Sequence, residues 1–535
     1  MTDSTPRSSW AGLRVTSLGT LASRVLGLVR DIATAALFGL AGGGVMDAFV
    51  VAFRIPNLFR RLFGEGALAA SYLPVLSAEL EHDRRSAWRL ASVTLTWLTV
   101  VLVVLLLLAE GLFALLYAVS DVPQTRLLVG LAATMMPYMV FICLTAQLAA
   151  TLHALSHFTM PAVAPILLNV CWLAGVWLIA PYFESKAAQA YVIAVCVLVS
   201  GALQLALQLP PLLRHGFRFD YGFAASRGAV RQVLRPLLPM MFGLAVVQLN
   251  TLVDVLIAWG FARTPASGST IAWLGGVGYP LTQGAAAAVY YGERLYQFPL
   301  GILGVAVATV IFPLLSRHAA RGDLDKLGAD LTLGLRLVVF LALPASLGLV
   351  LLAEPLARLL FEHGEFTADD AARTADMIAG YGVGVWAYCA LPVLIRGYYA
   401  LGRQTLVAKT GAVMVGFNLV ASLALIWPLG ELGLALTTAA SAALQVTILA
   451  LVFSRQASPI DWSRLARTIA VSSVATLVMG VACLGTLALL PEGDGATVRL
   501  AAVIAPLTAG VIAYFFAAWL LGAEELSIVW SGVER

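Results

Sequence analysis

Charged residues are scarce in this chain of 535 residues. They make up 12% of it, whereas soluble domains average about 25%. Hydrophobic residues make up 60%. This composition excludes an ordinary soluble enzyme and predicts an all-α protein that crosses the membrane many times. The net charge of +4 fits the Lys/Arg bias of cytoplasmic loops better than nucleic-acid binding.

Cysteine and histidine are also rare, with five and six copies. The cysteines all fall in apolar runs, which predicts neither a disulfide framework nor a metal-ligand spacing. His153 and His157 lie four residues apart, but no acid or cysteine is near them, and a solvated loop is the preferred interpretation. We therefore expect no metal and no cofactor.

Apolar runs of about 20 residues predict fourteen membrane helices. Their approximate limits are 14–40, 44–79, 87–118, 126–152, 159–181, 187–213, 229–260, 279–317, 328–352, 371–401, 405–428, 431–454, 466–490 and 497–521. The first helix contains Arg24 and Arg30 and no small-residue cleavage pattern, so we expect it to be retained rather than removed as a signal peptide. Lys and Arg concentrate in the loops that share a side with both termini, which predicts cytoplasmic termini.

The stretch from Ser23 to Pro74 carries many charges within otherwise apolar helices. Exposing them all to lipid would cost on the order of 20 kcal/mol, so they must face protein, water or a ligand. These residues are Arg24, Arg30, Asp31, Arg54, Arg60, Arg61 and Glu65.

Arginine outnumbers acid among these intramembrane charges. Arg294 lies next to Glu293 in the eighth predicted helix, and we expect no further arginine at membrane depth. One interpretation is an internal ion-pair network that includes Asp31, Glu65 and Glu293. The other interpretation is an anionic ligand. The surplus of positive charge favours it, because one guanidinium group can bind two phosphate oxygens at once.

The polar residues of the first two helices share faces. Those of the first helix occupy one arc, which predicts that it lines a hydrated cavity. In the second, Asp47, Arg54 and Arg61 recur every seven residues, and Pro56 predicts a kink. We expect the glycine- and proline-rich second and eighth helices to be the elements that bend.

A second polar group is predicted in the later helices. Asp254, Asn418 and Thr438 fall in the seventh, eleventh and twelfth helices, with Ser422 as a further candidate. They are suited to bind Na⁺ or a proton. A hydrogen-bonded packing pair explains the same residues equally well, and both interpretations stay open.

Four longer stretches of the sequence carry a family resemblance. They are SRVLGLVRD, DAFVVAFRIPNLFRRLFGEGALAASYLP, ERLYQFPLGILGVAVATVIFPLLS and RGYYALGR. Together they resemble the lipid II flippase family MurJ, also called MviN. The resemblance implies the fold of the multidrug/oligosaccharidyl-lipid/polysaccharide exporters, with two six-helix lobes (1–215 and 225–455) around a central cavity. The last two helices (463–522) would form a groove for the lipid tail.

The resemblance also implies a function. It predicts a transporter, not an enzyme, that moves lipid II (undecaprenyl-pyrophosphate disaccharide-pentapeptide) from the cytoplasmic to the periplasmic leaflet of the bacterial inner membrane by alternating access, for cell-wall synthesis. Membrane lipids and the cell-wall synthesis machinery are the implied partners, and coupling to the membrane potential, Na⁺ or H⁺ is expected. The implied head-group residues are Arg24, Arg30, Asp47, Arg60, Glu65 and Arg294, with Asp31 beside them; the charge pattern adds Arg54 and Arg61.

The sequence departs from the family pattern in three places. Gln297 stands where some members carry an acid, and the segment Phe261–Ala285 is longer than usual. After RGYYALGR, the run QTLV replaces an Asp-Thr-Lys-Thr-Pro-like turn.

Three alternative functions remain at this stage. A cation-coupled exporter of drugs or polysaccharide lipids shares the fold but predicts an apolar-aromatic cavity rather than an arginine-rich one. A polyprenyl-phosphate glycosyltransferase would need catalytic acids on a large outside loop, for which the run 362–376 is the one candidate. A divisome scaffold without transport activity is the third.

Overall fold

The computed structural model describes residues 6–64, 67–265, 267–271, 274–491, 493 and 495–531. In these residues the chain is helical apart from short loops and four two-residue strands, so the predicted all-α class is confirmed. Two compact units are formed. The first comprises Met1–Leu252 with Thr264–Gly268, and the second comprises Val253–Arg263 with Ser269–Arg535.

The first unit contains eight helices and most of a ninth. They are α1 (Pro6–Phe38), α2 (Val45–Phe59), α3 (Ala67–His82), α4 (Arg84–Val119), α5 (Pro123–Met135), α6 (Tyr138–Ala154), α7 (Thr159–Ala174), α8 (Lys186–Arg214) and α9 (Phe223–Gly260). α1 packs on α7, α2 on α5, and α6 on α8. Apolar faces such as those of α6 and α8 are buried in these contacts, which leaves the polar face of α2 for the site described below.

The second unit contains the remaining helices. They are α10 (Ala285–Pro299), α11 (Val305–Arg321), α12 (Leu324–Leu351), α13 (Ala353–Phe361), α14 (Ala368–Val383), α15 (Val385–Ala400), α16 (Gln404–Leu429), α17 (Glu431–Gln456), α18 (Trp462–Leu489), α19 (Ala496–Leu520) and α20 (Glu524–Ser531). α18 and α19 pack on each other, and α18 packs on α12. Phe340, Met479 and Tyr514 belong to the apolar core at this junction.

The long segment between α9 and α10 contains the four strands. β1 (Ala262–Arg263) pairs in parallel with β4 (Leu281–Thr282), and β2 (Thr270–Ile271) pairs antiparallel with β3 (Val277–Gly278). The two ends of the long segment Phe261–Ala285 are thus joined by the β1–β4 pair.

Ten of the described helices are long and apolar enough to cross a membrane, or up to twelve if each of two bent helix pairs forms one span. The first pair, Leu18–Phe38 with Gly42–Phe63, bends by 94°, and the second, Ala368–Val383 with Val385–Ala400, bends by 43°. The membrane class is therefore confirmed, whereas the predicted number of fourteen is not. The sharper bend falls at a turn where Gly43 and Gly44 have φ of 68° and 87°, a conformation that glycine adopts readily.

The second and eighth predicted helices are built alike. α2 and α10 each have 15 residues, and each begins after a left-handed glycine, Gly44 or Gly284. A π-helical turn follows each of them, at Arg60–Gly64 and Leu300–Gly304. Such turns widen a helix locally and are frequent at functional sites. Both helices that were predicted to bend therefore contain an irregular turn.

Replacing Gly304 by alanine should destabilise the second unit by about 1–3 kcal/mol, because it overpacks a close helix contact. A Cβ atom at this position would lie 2.7 Å from the Cα atom and 3.0 Å from the backbone oxygen of Cys389 in α15. Gly416→Ala is the matched control, since its Cβ would meet nothing within 4 Å. Thermal unfolding of the purified protein in detergent measures both, and equal melting temperatures would contradict the overpacking.

Asp220 connects the loop between α8 and α9 to α4 by hydrogen bonds. The Arg89 guanidinium donates to Asp220 Oδ2 at 3.3 Å, and the backbone N–H of Asp220 donates to Ser92 Oγ at 3.1 Å. The hydrogen bond from Arg89 holds the pKa of Asp220 below its ordinary value.

Asp220→Asn should loosen this loop at neutral pH. Because the folded-state pKa is lowered, the stabilisation is fully present above the pKa of the unfolded carboxyl, about 3.9, and is lost as the pH falls through the lower folded value. Hydrogen exchange of residues 217–222, corrected for intrinsic rates, should show less protection in the variant near pH 7. The difference should shrink below about pH 4. Equal protection near pH 7 would show that Asp220 does not anchor the loop.

Candidate functional site

Arg30 of α1 is held by partners within the first unit. Its Nη2 donates to Asp31 Oδ1 at 2.8 Å, and its Nη1 donates to Asn169 Oδ1 at 3.2 Å. The guanidinium also lies over the Trp172 ring, 4.6 Å from the centroid. Arg30 and Asp31 are 7% and 3% exposed. This arginine is therefore built into a buried ion pair.

Two residues of α7 create this environment for α1. Trp172 Nε1 donates to Thr34 Oγ1 at 2.9 Å, and Asn169 Nδ2 donates to the backbone oxygen of Ser23 at 3.0 Å. Asn169 and Trp172 are three residues apart, so they lie on one face of their helix. Neither was predicted as a site residue, although a polar residue and a tryptophan at helical spacing in an apolar run were a usable signal.

Arg24 and Asp47 differ in exposure. Arg24 is exposed on α1, about two turns before Asp31. Asp47 is 3% exposed in the first turn of α2. A carboxylate is favoured there because the amino end of a helix carries a partial positive charge. The structure thus separates an accessible arginine from a buried acid.

The π-helical turn after α2 carries two more predicted arginines. Arg60 Nε donates to Asn57 Oδ1 at 2.7 Å. The Cys143 thiol of α6 lies 3.6 Å from the backbone oxygen of Phe59 and donates to it. Glu65, which was predicted to bind substrate, lies outside the residues that the structure describes.

A small crevice lies between α2 and α9 in the first unit. Across it, Arg61 Nη1 donates to Gln248 Oε1 at 3.0 Å. Its lining combines two guanidinium groups with two amides and a hydroxyl, a donor-rich set that suits an anion. The lining residues are Arg54, Asn57, Leu58, Arg61, Gln248, Thr251 and Leu252.

Helix α9 was not predicted to contribute to this site. Gln248 and Thr251 are three residues apart and share a helix face. They precede Asp254, which was identified in the same helix for a different role. Polar residues at helical spacing in an apolar helix were therefore the available signal.

Arg294 belongs to the second unit and lies in α10. Its guanidinium lies over the Tyr290 ring, 4.3 Å from the centroid. The neighbouring Glu293 is buried, and Tyr296 stacks obliquely on Tyr388 with ring centroids 4.6 Å apart. Arg294 therefore lies in aromatic surroundings, next in sequence to a buried acid.

Asp254, Asn418 and Thr438, which were predicted to form a polar group, are connected by hydrogen bonds in the second unit. Asn418 Nδ2 donates to Asp254 Oδ1 at 2.6 Å, and Thr438 Oγ1 donates to Asp254 Oδ2 at 2.9 Å. Asp254, Asn418 and Ser422 are buried. The three helices thus bring oxygen-bearing side chains to one carboxylate, which is compatible with a cation site and with packing.

The histidine pair lies apart from any metal-like cluster. The His153 ring stacks on Phe158, whereas the His157 ring meets His215 with centroids 5.8 Å apart. In the described part of the chain, no group of three or more His, Cys, Asp or Glu residues could hold a metal ion.

Arg336 of α12 is a further buried arginine, which was not among the predicted site residues. This residue lies about 18 Å along α12 from Leu324, and it is buried. Its Nη2 lies 2.7 Å from a carboxylate oxygen of Glu524 and of Glu525 in α20. The partners follow it by nearly 190 residues, so no local sequence pattern indicates that the charge is neutralised inside the protein.

The fold first defines a class of protein. It matches a structure described as the inward-facing conformation of a multidrug resistance MATE family transporter of the MOP superfamily, with a TM-score of 0.62, 11% identity, and coverage of 83% of this chain and 95% of that one. It matches a structure of lipid II flippase MurJ in the inward closed conformation with a TM-score of 0.74, 22% identity, and coverage of 97% and 99%. These likenesses establish the fold of a membrane transporter.

The family follows from the sequence comparisons. The family model described as lipid II flippase MurJ matches residues 34–505. A probable lipid II flippase MurJ from Vibrio cholerae is 32% identical over 450 residues, which cover 81% of each chain. Lipid II flippase MurJ from Burkholderia cenocepacia is 34% identical over 398 residues, which cover 71% of each. The chain belongs to the lipid II flippase MurJ family, and the predictions of family and of transporter class are confirmed.

Proposed function

We propose that this protein translocates lipid II across the membrane for cell-wall synthesis. The observation that carries the proposal is family membership over 34–505. The donor-rich crevice at Arg54 and Arg61 supports it, because a pyrophosphate offers oxygen acceptors that match guanidinium groups.

The described side chains suggest different roles for the arginines. Arg24 is exposed and Arg54, Arg60 and Arg61 are half-buried, so they suit contact with a ligand. Arg30 is buried against Asp31 and is better suited to hold α1 in place. Arg294 would supply positive charge from the second unit. Asp47 and Glu65 complete the proposed head-group set.

The transport cycle that we propose is alternating access in the bacterial inner membrane, with both termini in the cytoplasm. Residues 1–215 and 225–455 would act as lobes around a central cavity, and 463–522 would offer a groove to the lipid tail. An inside-negative potential favours outward movement of an anionic head group by about 2.3 kcal/mol per charge per 100 mV. The cell-wall synthesis machinery and membrane lipids are the proposed partners.

Cation coupling through Asp254 is a further part of the proposal. The carboxylate, with the oxygens of Asn418, Ser422 and Thr438, would take Na⁺ or a proton. Transport by Asp254→Asn should lose its response to sodium or pH. If transport by the unaltered protein depends on neither sodium nor pH, Asp254 is excluded as the coupling site.

Complementation of a flippase-depleted bacterium tests the proposed function. The unaltered chain should restore growth, and Arg24→Ala and Arg294→Ala should fail although the proteins reach the membrane in normal amounts. Arg218→Ala, in the exposed loop after α8, is the matched control and should grow. Failure of the unaltered, membrane-inserted chain to complement would overturn the function. Full growth of both variants would overturn the head-group assignment.

A further inference from the structure

Arg61 has an uncharged hydrogen-bond partner in Gln248. Its Nη1 donates to the amide oxygen of Gln248, at 3.0 Å, and both residues line the crevice between α2 and α9. Both side chains are half-buried, so solvent or a ligand can reach them. The bond joins two elements that are 187 residues apart in sequence.

The neighbouring groups of the crevice are hydrogen-bond donors. The Asn57 side chain accepts a hydrogen bond from Arg60 through its Oδ1. Its NH₂ group is a hydrogen-bond donor for a ligand. Thr251 contributes a hydroxyl one turn from Gln248, and Arg54 contributes a second guanidinium. An oxyanion is the ligand chemistry that such a set recognises.

A phosphate oxygen would be a stronger partner for Arg61 than the amide is. In the Arg61–Gln248 hydrogen bond only the donor is charged, whereas a phosphate oxygen adds the opposite charge, and a phosphate can accept two N–H bonds from one guanidinium. A neutral amide can therefore hold the guanidinium in place and still be displaced by an anion. A carboxylate at the same position would compete with that anion.

We propose that Gln248 is a positioning residue that holds Arg61 ready and gives way to a phosphate oxygen of the substrate. The inference rests on the proposed function and extends it, because it adds α9 to the binding site. It identifies a crevice within the first unit as the place where a phosphate or pyrophosphate group is held.

Inorganic pyrophosphate is the probe for this crevice, titrated into the full-length protein in nanodiscs of zwitterionic lipid. Gln248→Glu should weaken binding about tenfold or more, because the new carboxylate pairs with Arg61. Gln248→Leu should weaken it by less, about threefold, because Arg61 is no longer held in its binding orientation before the anion arrives. Gln232→Glu, at an exposed position near the start of α9, is the matched control and should bind normally. Equal affinity of Gln248→Glu and the unaltered protein would overturn the inference.

A double variant separates positioning from simple repulsion. In an Arg61→Ala background, Gln248→Glu should cause little further loss, since its effect passes through the arginine. A loss as large as in the native background would mean that the carboxylate repels the anion directly, and the inference would fall. Purified variants that elute and melt like the native protein exclude misfolding as the cause.

Competition identifies the source of the phosphate oxygen. Lipid II should displace pyrophosphate from the unaltered protein, whereas phosphatidylglycerol should not. Displacement by phosphatidylglycerol alone would overturn the assignment to substrate, and absence of pyrophosphate binding would overturn the crevice as an anion site. Neither result affects the complementation test of the proposed function. A failure of this inference can therefore be distinguished from a failure of the proposed function.

Discussion

Replacing Asp31 by alanine should destabilise the first unit by about 3–5 kcal/mol, the usual cost of breaking a buried ion pair by removing one partner. The side chains of Arg30 and Asp31 are 8% and 4% exposed, and their charged atoms are 2.8 Å apart. The amide of Asn169 cannot neutralise the remaining guanidinium. Thermal unfolding of the purified protein in detergent measures the loss.

Two further variants make this result specific. Asp121→Ala breaks a solvent-exposed contact with Arg126 and should leave the melting temperature unchanged. The double change Arg30→Met with Asp31→Leu should recover most of the stability, because apolar residues often replace a buried pair at little cost. An unchanged melting temperature for Asp31→Ala would show that the pair does not stabilise the fold.

The double variant also separates the two roles of Arg30. If it folds but fails to support growth of the depleted strain, the Arg30–Asp31 pair acts on the substrate as well as on the fold. If it supports growth, the role of Arg30 is structural. The first outcome would agree with the family resemblance, and the second with the burial of this side chain.

Glu525→Ala should have a comparably large effect in the second unit, about 3–5 kcal/mol. Its carboxylate lies 2.7 Å from the Arg336 guanidinium, and the two side chains are 3% and 8% exposed. Thr468 of α18 accepts a hydrogen bond from Arg336 Nε at 2.9 Å. Loss of the carboxylate therefore leaves the buried guanidinium with the half-exposed Glu524 as its acidic partner in α20 and weakens the attachment of α20 to α12. Melting temperature and protease cleavage near the C-terminus should both change.

Glu524→Ala is the control for this cluster. Glu524 contacts the same guanidinium at 2.7 Å, but its side chain is 52% exposed, so water compensates for its removal. We expect a clearly smaller shift of the melting temperature than for Glu525→Ala. Equal shifts would show that burial does not decide the energetic contribution of this pair.

Several features of the fold could be predicted from local sequence. The shortage of charge identified a membrane protein, and the glycines after α1 fall at the sharp bend between α1 and α2. The stretch from Ser23 to Pro74 identified charges that must be buried or face a ligand, because their cost in lipid is large. The number of spans was less predictable, since bent and interrupted helices do not map simply onto apolar runs.

The pairing of the charges could not be predicted. Helical spacing shows which residues of one helix share a face, but it does not identify the helix that packs against that face. Arg30 donates a hydrogen bond to Asn169, Arg61 to Gln248, and Arg336 to Glu525. These partners are 139, 187 and 189 residues apart in the sequence.

The sequence by itself determined the class of this protein and the surplus of arginine within its membrane helices, because both follow from the cost of placing each residue type in lipid. Only the tertiary structure decided that Arg30 is locked to Asp31, that Arg61 faces a crevice completed by α9, and that Arg336 is neutralised by α20. The physical reason is that the free energy of a buried charge depends on the group a few ångströms away, and helix packing determines which group that is.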